Sequence, residues 1–394
     1  MEHSWRGQIH DGQAAGAPAS HRLGAPRVWA LLSDTAGDNA QVLALADALG
    51  WPFEVHRFKN RQGAMAANFL MGRSLPAMVK VSGHFGPPWP DLAIAAGTPS
   101  EPLCAQLRTE SRRANHRIYQ VFLGRPWARP ELYDLIVTTP QYWVPQAPNV
   151  VTIDLPLHQA KFADSAREAT LWAARIAHLP RPHVAVFVGG GISRYTLDTR
   201  AAKRLAQEAS ALVAPMGGSL LICGSYRTPR LVTKVLADSL AIPSHIFDWR
   251  QGSKNNPYLA FLSLADQFIV TGDSMTMLAE ACGTGKPVHI FDLGEGRYGM
   301  REPPAPRGNV FVRHPWLASA LRARVKDTQV KLINFVLPMR FHRDTRNIHR
   351  RLVQSGRAVW LGDAVPPKLA AIPHNSAHDA EEIAARIRKE MDLR

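Results

Sequence analysis

The sequence predicts an α/β protein made of two Rossmann-like domains, each a parallel sheet covered by helices. Three observations lead there. The chain has 394 residues, more than one ordinary core accommodates. Short apolar runs alternate with helix-spaced segments from Arg27 to Thr138. The alternation restarts at His183 and runs to Asp292, and this pattern is that of parallel strands joined by helices.

In the first half, Val28–Leu32 reads as a strand, followed by the polar turn Ser33-Asp34-Thr35-Ala36-Gly37-Asp38. Val42, Leu45, Ala46 and Leu49 fall at helical spacing, and Gly50 with Pro52 ends the helix. Strands follow at 53–57 and 91–96, then a second small-residue turn, Gly97-Thr98-Pro99-Ser100, and a helix to about Arg112. Strands at 118–123 and Leu135–Thr138 complete this half, and a break falls between Leu157 and His183.

The second half opens with a strand at 183–188 and the loop Gly189-Gly190-Gly191-Ile192-Ser193. Ala201, Leu205, Ala209 and Leu212 mark a helix; a strand at 219–223 leads to the turn Gly224-Ser225-Tyr226. A helix at 228–240 and a strand at 244–248 follow, and the runs 261–266, Gln267–Thr271 and 287–292 continue the pattern. Beyond Pro315 the chain reads as helical and basic, with Arg340, Arg343, Arg346 and Arg350 spaced to share one helical face. The expected organisation is a tail at 1–26, domains at 27–170 and 171–340, and a helical segment at 341–394 that packs back on the first domain.

Composition narrows the function classes. With 46% hydrophobic and 20% charged residues the chain is globular. No run of eighteen uninterrupted apolar residues predicts a membrane-spanning helix, and the Gly-, Ala- and Pro-containing first 25 residues lack the apolar core of a signal peptide. Cys104, Cys223 and Cys282 are far apart, which argues for a reduced, cytoplasmic setting. Without HExxH or CxxC no tightly held metal or other cofactor is expected. The net charge of +15 suits phosphates or an anionic lipid surface. Nucleic acid is set aside because no zinc finger, basic zipper or aromatic-basic RNA motif is visible. The stretch 57–89 interleaves Arg57, Lys59, Arg61, Arg73 and Lys80 with Met65, Phe69, Leu70, Met71, Phe85 and Trp89. Such a mixture fits peripheral contact with an anionic membrane, or a core helix with a basic outer face.

Three turns can carry chemistry. In QFIVTGDSMTMLAEACGTGKPVHIFD a strand ends at Thr271, and Gly272, Asp273 and Ser274 lead into a helix beginning near Met275. The first N–H groups of such a helix suit a phosphate, Ser274 can add a hydroxyl, and Glu280, two turns in, can accept two hydroxyl hydrogen bonds as a ribose offers them. Equally, Asp273 can be a helix cap and Glu280 a surface residue. The Gly189, Gly190, Gly191, Ser193 loop lets a backbone approach a phosphate, although neither a P-loop nor GxGxxG is present; Gly224 and Ser225 occupy the matching turn after the next strand. Asp38 lies at the corresponding position of the first domain, as a general base toward an acceptor hydroxyl or as an N-cap.

TGDSMTMLAEACGTGKPV resembles the signature of the "elongated mitochondria" fission family, which includes bacterial members. SDTAGDNAQ, PWPDLAIAAG and PNVVTIDLPLH resemble its other blocks, so the resemblance extends from Arg27 to about Glu382. One departure stands out: Gly97 is followed by Thr98-Pro99 where the family has Gly-Arg. That family in turn is similar to the GT-B glycosyltransferases. This implies two Rossmann-like domains facing a cleft, a nucleotide-diphosphate sugar as donor substrate, no required metal and frequent peripheral membrane contact at the inner membrane. It places the donor diphosphate at Ser274 and the Gly190 loop, the ribose at Glu280 and the base at Asp38. Three functions follow: sugar transfer to an unknown, lipid-linked or cell-surface acceptor; a non-enzymatic adaptor of the fission-family type; or a nucleotide-sugar epimerase.

Overall fold

The computed structural model describes residues 25–60, 79–81, 84–158, 162–192, 195–252, 256–294, 299–301, 343–364 and 376–392. They form two compact units. One holds 25–158, 343–344 and 376–392; the other holds 162–301 and 345–364.

The first unit is a seven-stranded sheet in the order β3-β2-β1-β4-β5-β6-β7. Its strands are β1 (Val28–Leu32), β2 (Phe53–Asn60), β3 (Val79–Val81), β4 (Leu92–Ala96), β5 (Tyr119–Leu123), β6 (Leu135–Thr138) and β7 (Val150–Thr152). Only β3 runs antiparallel to its neighbour. Every residue of β1 is buried, and alternation divides the strand between two cores. Val28, Ala30 and Leu32 pack with Val42, Leu45 and Leu49 of α1 (Ala36–Leu49). Trp29 and Leu31 pack on the other face with Leu103 and Leu107 of α2 (Glu101–Arg113). A sheet covered on both faces needs continuous apolar strands, which is what the sequence displays.

The second unit is an all-parallel six-stranded sheet, β10-β9-β8-β11-β12-β13. It contains β8 (His183–Val188), β9 (Ser219–Gly224), β10 (Ser244–Phe247), β11 (Gln267–Thr271), β12 (Val288–Phe291) and β13 (Val359–Trp360). Its helices are α3 (Phe162–Ile176), α4 (Thr199–Val213), α5 (Arg230–Ser239), α6 (Tyr258–Leu264), α7 (Met275–Gly283) and α8 (Arg346–Gln354). Both sheets are doubly wound, with strand order reversing beside β1 and β4 in the first and beside β8 and β11 in the second. Ligands of such sheets sit outside the carboxyl ends of the strands at that reversal.

The chain course differs from the expected organisation in three places. The second unit begins with α3, packed on α6, rather than at residue 171; Trp172 meets Phe261 edge-on at 5.8 Å. The segment expected at 341–394 is divided. α8 and β13 belong to the second unit, because Ile348, His349 and Leu352 are buried and β13 extends the sheet beside β12. α9 (Ser376–Asp392) packs on α1 of the first unit through Ala380, Ile383, Ala384 and Ile387. The four arginines therefore do not share a helix: α8 starts at Arg346, and Arg343 pairs with Tyr142 in a short antiparallel bridge of the first unit. The run 261–266 forms the end of α6 and the turn after it. Most of the basic-apolar stretch 57–89, the tail at 1–24 and Arg340 lie outside the described residues. Among the described residues no helix is long and apolar enough to cross a membrane.

Candidate functional site

At the reversal of the second sheet, the loop after β8 meets the turn after β11. The three glycine N–H groups are already engaged. Gly189 donates to Thr271 Oγ1 at 2.8 Å, while Gly190 and Gly191 both donate to Asp273 Oδ2 at 2.9 and 3.0 Å. A phosphate cradle made by these N–H groups is therefore corrected to a loop clamped by a carboxylate. A Cβ at Gly189 would come within 2.2 Å of that carboxylate, so the position admits only glycine unless Asp273 moves. The Asp273 side chain is fully buried and pairs with Arg227 Nη2 at 3.4 Å. Its role as a cap of α7 is replaced by this cross-loop role, since Ser274 is the N-cap residue.

Gly224 and Ser225 stiffen the same place. Ser225 N donates to Val188 O at 3.0 Å and to Thr228 Oγ1 at 2.8 Å. Thr228 Oγ1 itself reaches the carbonyls of Val188 and Gly189 at 2.8 and 2.7 Å. These turns thus brace the glycine loop. From the other side, buried His349 on α8 donates Nε2–H to Gly272 O at 2.8 Å. Thr271, Arg227, Thr228 and His349 were not singled out from sequence. Each acts through a partner far along the chain, and no local spacing signals such contacts. Ser193 lies outside the described residues.

The N-terminus of α7 is differently placed. Ser274 makes no side-chain cap bond, and the N–H groups of Met275, Thr276 and Met277 precede the first intrahelical donor, Leu278 N, which bonds Ser274 O. Met275 buries its side chain, so what it offers is main chain. On the next turn Glu280, half-buried, accepts a hydrogen bond from the hydroxyl of Tyr258 on α6. Burial and the Glu280 charge hold the Tyr258 phenol well above its ordinary pKa, so it stays a donor.

In the first unit, Asp38 sits in the first turn of α1, beyond the N-cap Thr35, which corrects the N-cap alternative. Asn39 closes the preceding loop by exchanging hydrogen bonds with the Ser33 backbone at 2.9 and 2.8 Å. The Asp38 carboxylate lies over Gly97, in the turn after β4. A Cβ there would approach Oδ2 to 2.3 Å, and the φ of +70° independently favours glycine. Burial pushes Asp38 up from 3.8 to about 6, against the opposing charge of Arg343. The two units thus share one construction with its parts exchanged. Asp38 follows the first strand and its glycine the fourth strand in chain order; in the second unit Gly189 follows the first strand and Asp273 the fourth. His84 and His158 are outside this pair: His84 Nε2 contacts Pro87 O at 3.1 Å, and His158 is buried.

These observations define a protein of two doubly wound α/β units, each with a glycine-carboxylate turn pair at the reversal of its sheet. Residues 36–302 match the family described as Mitochondrial fission ELM1, and the chain belongs to that family. It is 29% identical over 235 residues to Mitochondrial fission protein ELM1 of Arabidopsis thaliana, a match covering 54% of each chain. The chain therefore spans about half the length of that relative. It is 22% identical over 301 residues to the uncharacterized protein RP120 of Rickettsia prowazekii, covering 67% of this chain and 82% of that one. Among solved structures it is similar to a UDP-GlcNAc 2-epimerase from Neisseria meningitidis bound to UDP-GlcNAc, with 12% identity, coverage of 92% and 100%, and a TM-score of 0.48.

Proposed function

We propose that the chain is a GT-B-like glycosyltransferase that moves a sugar from a nucleotide-diphosphate sugar to an acceptor hydroxyl. The observation that supports this most is the turn into α7. An N-cap that leaves its helix uncapped, at the reversal of a doubly wound sheet, suits a diphosphate. Glu280, one to two turns in, takes the ribose hydroxyls. The diphosphate rests on the Ser274–Met277 main chain rather than on the glycine loop, whose task is to hold the turn in place. As the glycosidic bond to the diphosphate breaks, the helix terminus and the partly exposed Arg227 stabilise the leaving charge. In the first unit Asp38 accepts the proton of the acceptor hydroxyl.

The test is the melting temperature with UDP, GDP, ADP and their sugars. A nucleotide that binds only the folded state at one hundred times its dissociation constant adds about 2.7 kcal/mol. One nucleotide should raise the melting temperature, and Glu280→Ala should remove most of the rise; no rise with any of them overturns the reading. Tyr258→Phe keeps the ring and removes the hydrogen bond that orients Glu280. It should weaken nucleotide binding by about three- to tenfold, read by titration calorimetry. Unaltered affinity would leave Tyr258 a core residue only.

Membership of the fission family favours a second reading, a non-enzymatic adaptor with the same fold. A nucleotide that binds tightly and never turns over, whatever acceptor hydroxyl is supplied, would favour it. A peripheral association with anionic lipid fits either reading and the net charge of +15.

A further inference from the structure

The loop that leaves β12 in the second unit returns to where it began. Asp292, the first residue after the strand, accepts the N–H of Gly294 on Oδ1 at 2.8 Å. The same carboxylate accepts the N–H of Met300 on both oxygens, at 2.8 and 2.9 Å, and that of Arg301 on Oδ2 at 3.0 Å. Main-chain N–H groups on a carboxylate make charge-assisted bonds, stronger than those between neutral groups. One side chain thus ties both ends of the loop and brings residue 300 back to the end of β12.

The closure delivers the Met300 side chain, 1% exposed, to Gly272. A Cβ at Gly272 would come within 2.6 Å of Met300 Sδ and within 3.3 Å of the His349 ring. Gly272 is fixed in three ways. Its N–H donates to Phe291 O at 2.9 Å, its carbonyl accepts from His349, and Met300 fills the space a side chain there would need. Gly272 directly precedes Asp273, the clamp of the glycine loop, and Ser274, the N-cap of α7. A shift at Gly272 moves both. The loop also reaches the segment after the glycines: Tyr195 donates its hydroxyl to Gly299 O at 3.3 Å and exchanges main-chain hydrogen bonds with Ile192 at 2.8 and 2.9 Å.

Core filling alone does not account for this arrangement. Gly272 is not one of the glycines with positive φ, so its backbone admits alanine. What excludes a side chain is the thioether, which arrives on a different loop. That loop in turn is closed by a carboxylate bonded to the N–H of Met300 itself. A methionine on one loop is matched to a glycine on another, and the matched glycine opens the turn into α7.

We propose that Asp292 and Met300 are positioning residues for the turn 272–274: Asp292 closes the loop, and Met300 sets where the first N–H groups of α7 point. Their bearing on a diphosphate rests on the reading above; their hold on the turn does not. A displacement of about 1 Å in a positioned group is enough to cost about a hundredfold in rate, so such a support matters to any ligand of that helix terminus.

The test uses the full chain and two readouts. The first needs no ligand: amide hydrogen exchange of peptides covering 268–283, read by mass spectrometry well below the melting temperature. The amides of Gly272, Ser274 and Leu278 are bonded to Phe291 O, Thr271 O and Ser274 O at 2.9, 3.2 and 3.0 Å, and they report on the turn. Asp292→Asn keeps the size of the side chain and turns one acceptor into a donor that faces main-chain N–H groups. It should speed exchange at the turn by about tenfold, and so should Met300→Ala. Gly272→Ala should do the same, since its methyl drives the thioether away. The double variant Gly272→Ala, Met300→Ala should exchange more slowly than either single variant, because the new methyl enters the space the thioether left. Such non-additivity is the mark of direct coupling. A merely structural methionine predicts additive effects, and a merely structural Asp292 predicts no change at the turn. Either result overturns the proposal. The second readout is calorimetric titration with UDP, GDP and ADP. The nucleotide that binds the wild type should bind Asp292→Asn about tenfold more weakly and the double variant more tightly than either of its single variants. A wild-type chain that binds none of them, or a loosened turn with unaltered affinity, overturns the donor reading and leaves the exchange result to decide this one.

Discussion

Replacing Asp273 by alanine should destabilise the second unit by about 3–5 kcal/mol and, on the function proposed above, abolish nucleotide binding. One carboxylate oxygen holds two loop N–H groups and a guanidinium, and the whole side chain is buried. Removing it leaves Gly190 N, Gly191 N and Arg227 without their acceptor inside the fold, and each orphaned group costs its desolvation. Among the described residues, the other tie of the glycine loop to the turn after β11 is Gly189 N to Thr271 Oγ1. Asp273→Asn should be milder, because an amide oxygen can still accept while the charge opposite Arg227 is lost. Urea unfolding followed by far-UV circular dichroism checks both, and the ordering Ala worse than Asn is part of the expectation. An Asp273→Ala protein as stable as wild type would mean that the clamp contributes nothing. Gly189→Ala should resemble it, since the added methyl displaces the same carboxylate.

How much of this was legible in the sequence depends on how local each feature is. β1, β6 and β11 were read to the residue because a strand buried on both faces is a continuous apolar run bounded by polar turns. α6 was not read, because Tyr258–Leu264 is short and apolar throughout, and neither period shows in seven such residues. β13 was not read either: two residues form a strand only because β12 offers its edge. At the site, sequence identified Asp273, Ser274, Glu280 and Asp38 as the residues of interest. It gave the glycine loop the wrong task, since the clamp joins residues more than eighty positions apart. Tyr258 and Met300 are of the same kind. A tyrosine in an apolar run and a methionine in a glycine-containing loop carry no local sign of the carboxylate or glycine they serve.

Asp38→Asn should have opposite effects on activity and stability. A general base contributes about a hundred- to ten-thousandfold to rate, so on the function proposed above its loss should lower turnover by that order. On the same proposal, the wild-type rate should follow the ionised fraction of Asp38. It should fall about tenfold per pH unit below about 6 and level off above it. Stability runs the other way. Because burial raises the folded pKa from 3.8 to about 6, the ionised form is the one the fold disfavours. The favourable contribution is complete below 3.8 and is lost as pH rises through about 6. Asparagine is never ionised, so at pH 8 the variant should melt higher than wild type, and at pH 4 the advantage should shrink toward zero. A purely structural aspartate would show lower stability on replacement at both pH values and no change in the pH profile of turnover. Gly97→Ala provides the complementary perturbation. It keeps the carboxylate but drives a methyl group against it at a position whose φ is +70°, so turnover and stability should fall together. Loss of activity with gained stability in one variant, and loss of both in the other, is the pattern expected of a carboxylate that the fold holds in a disfavoured state for use.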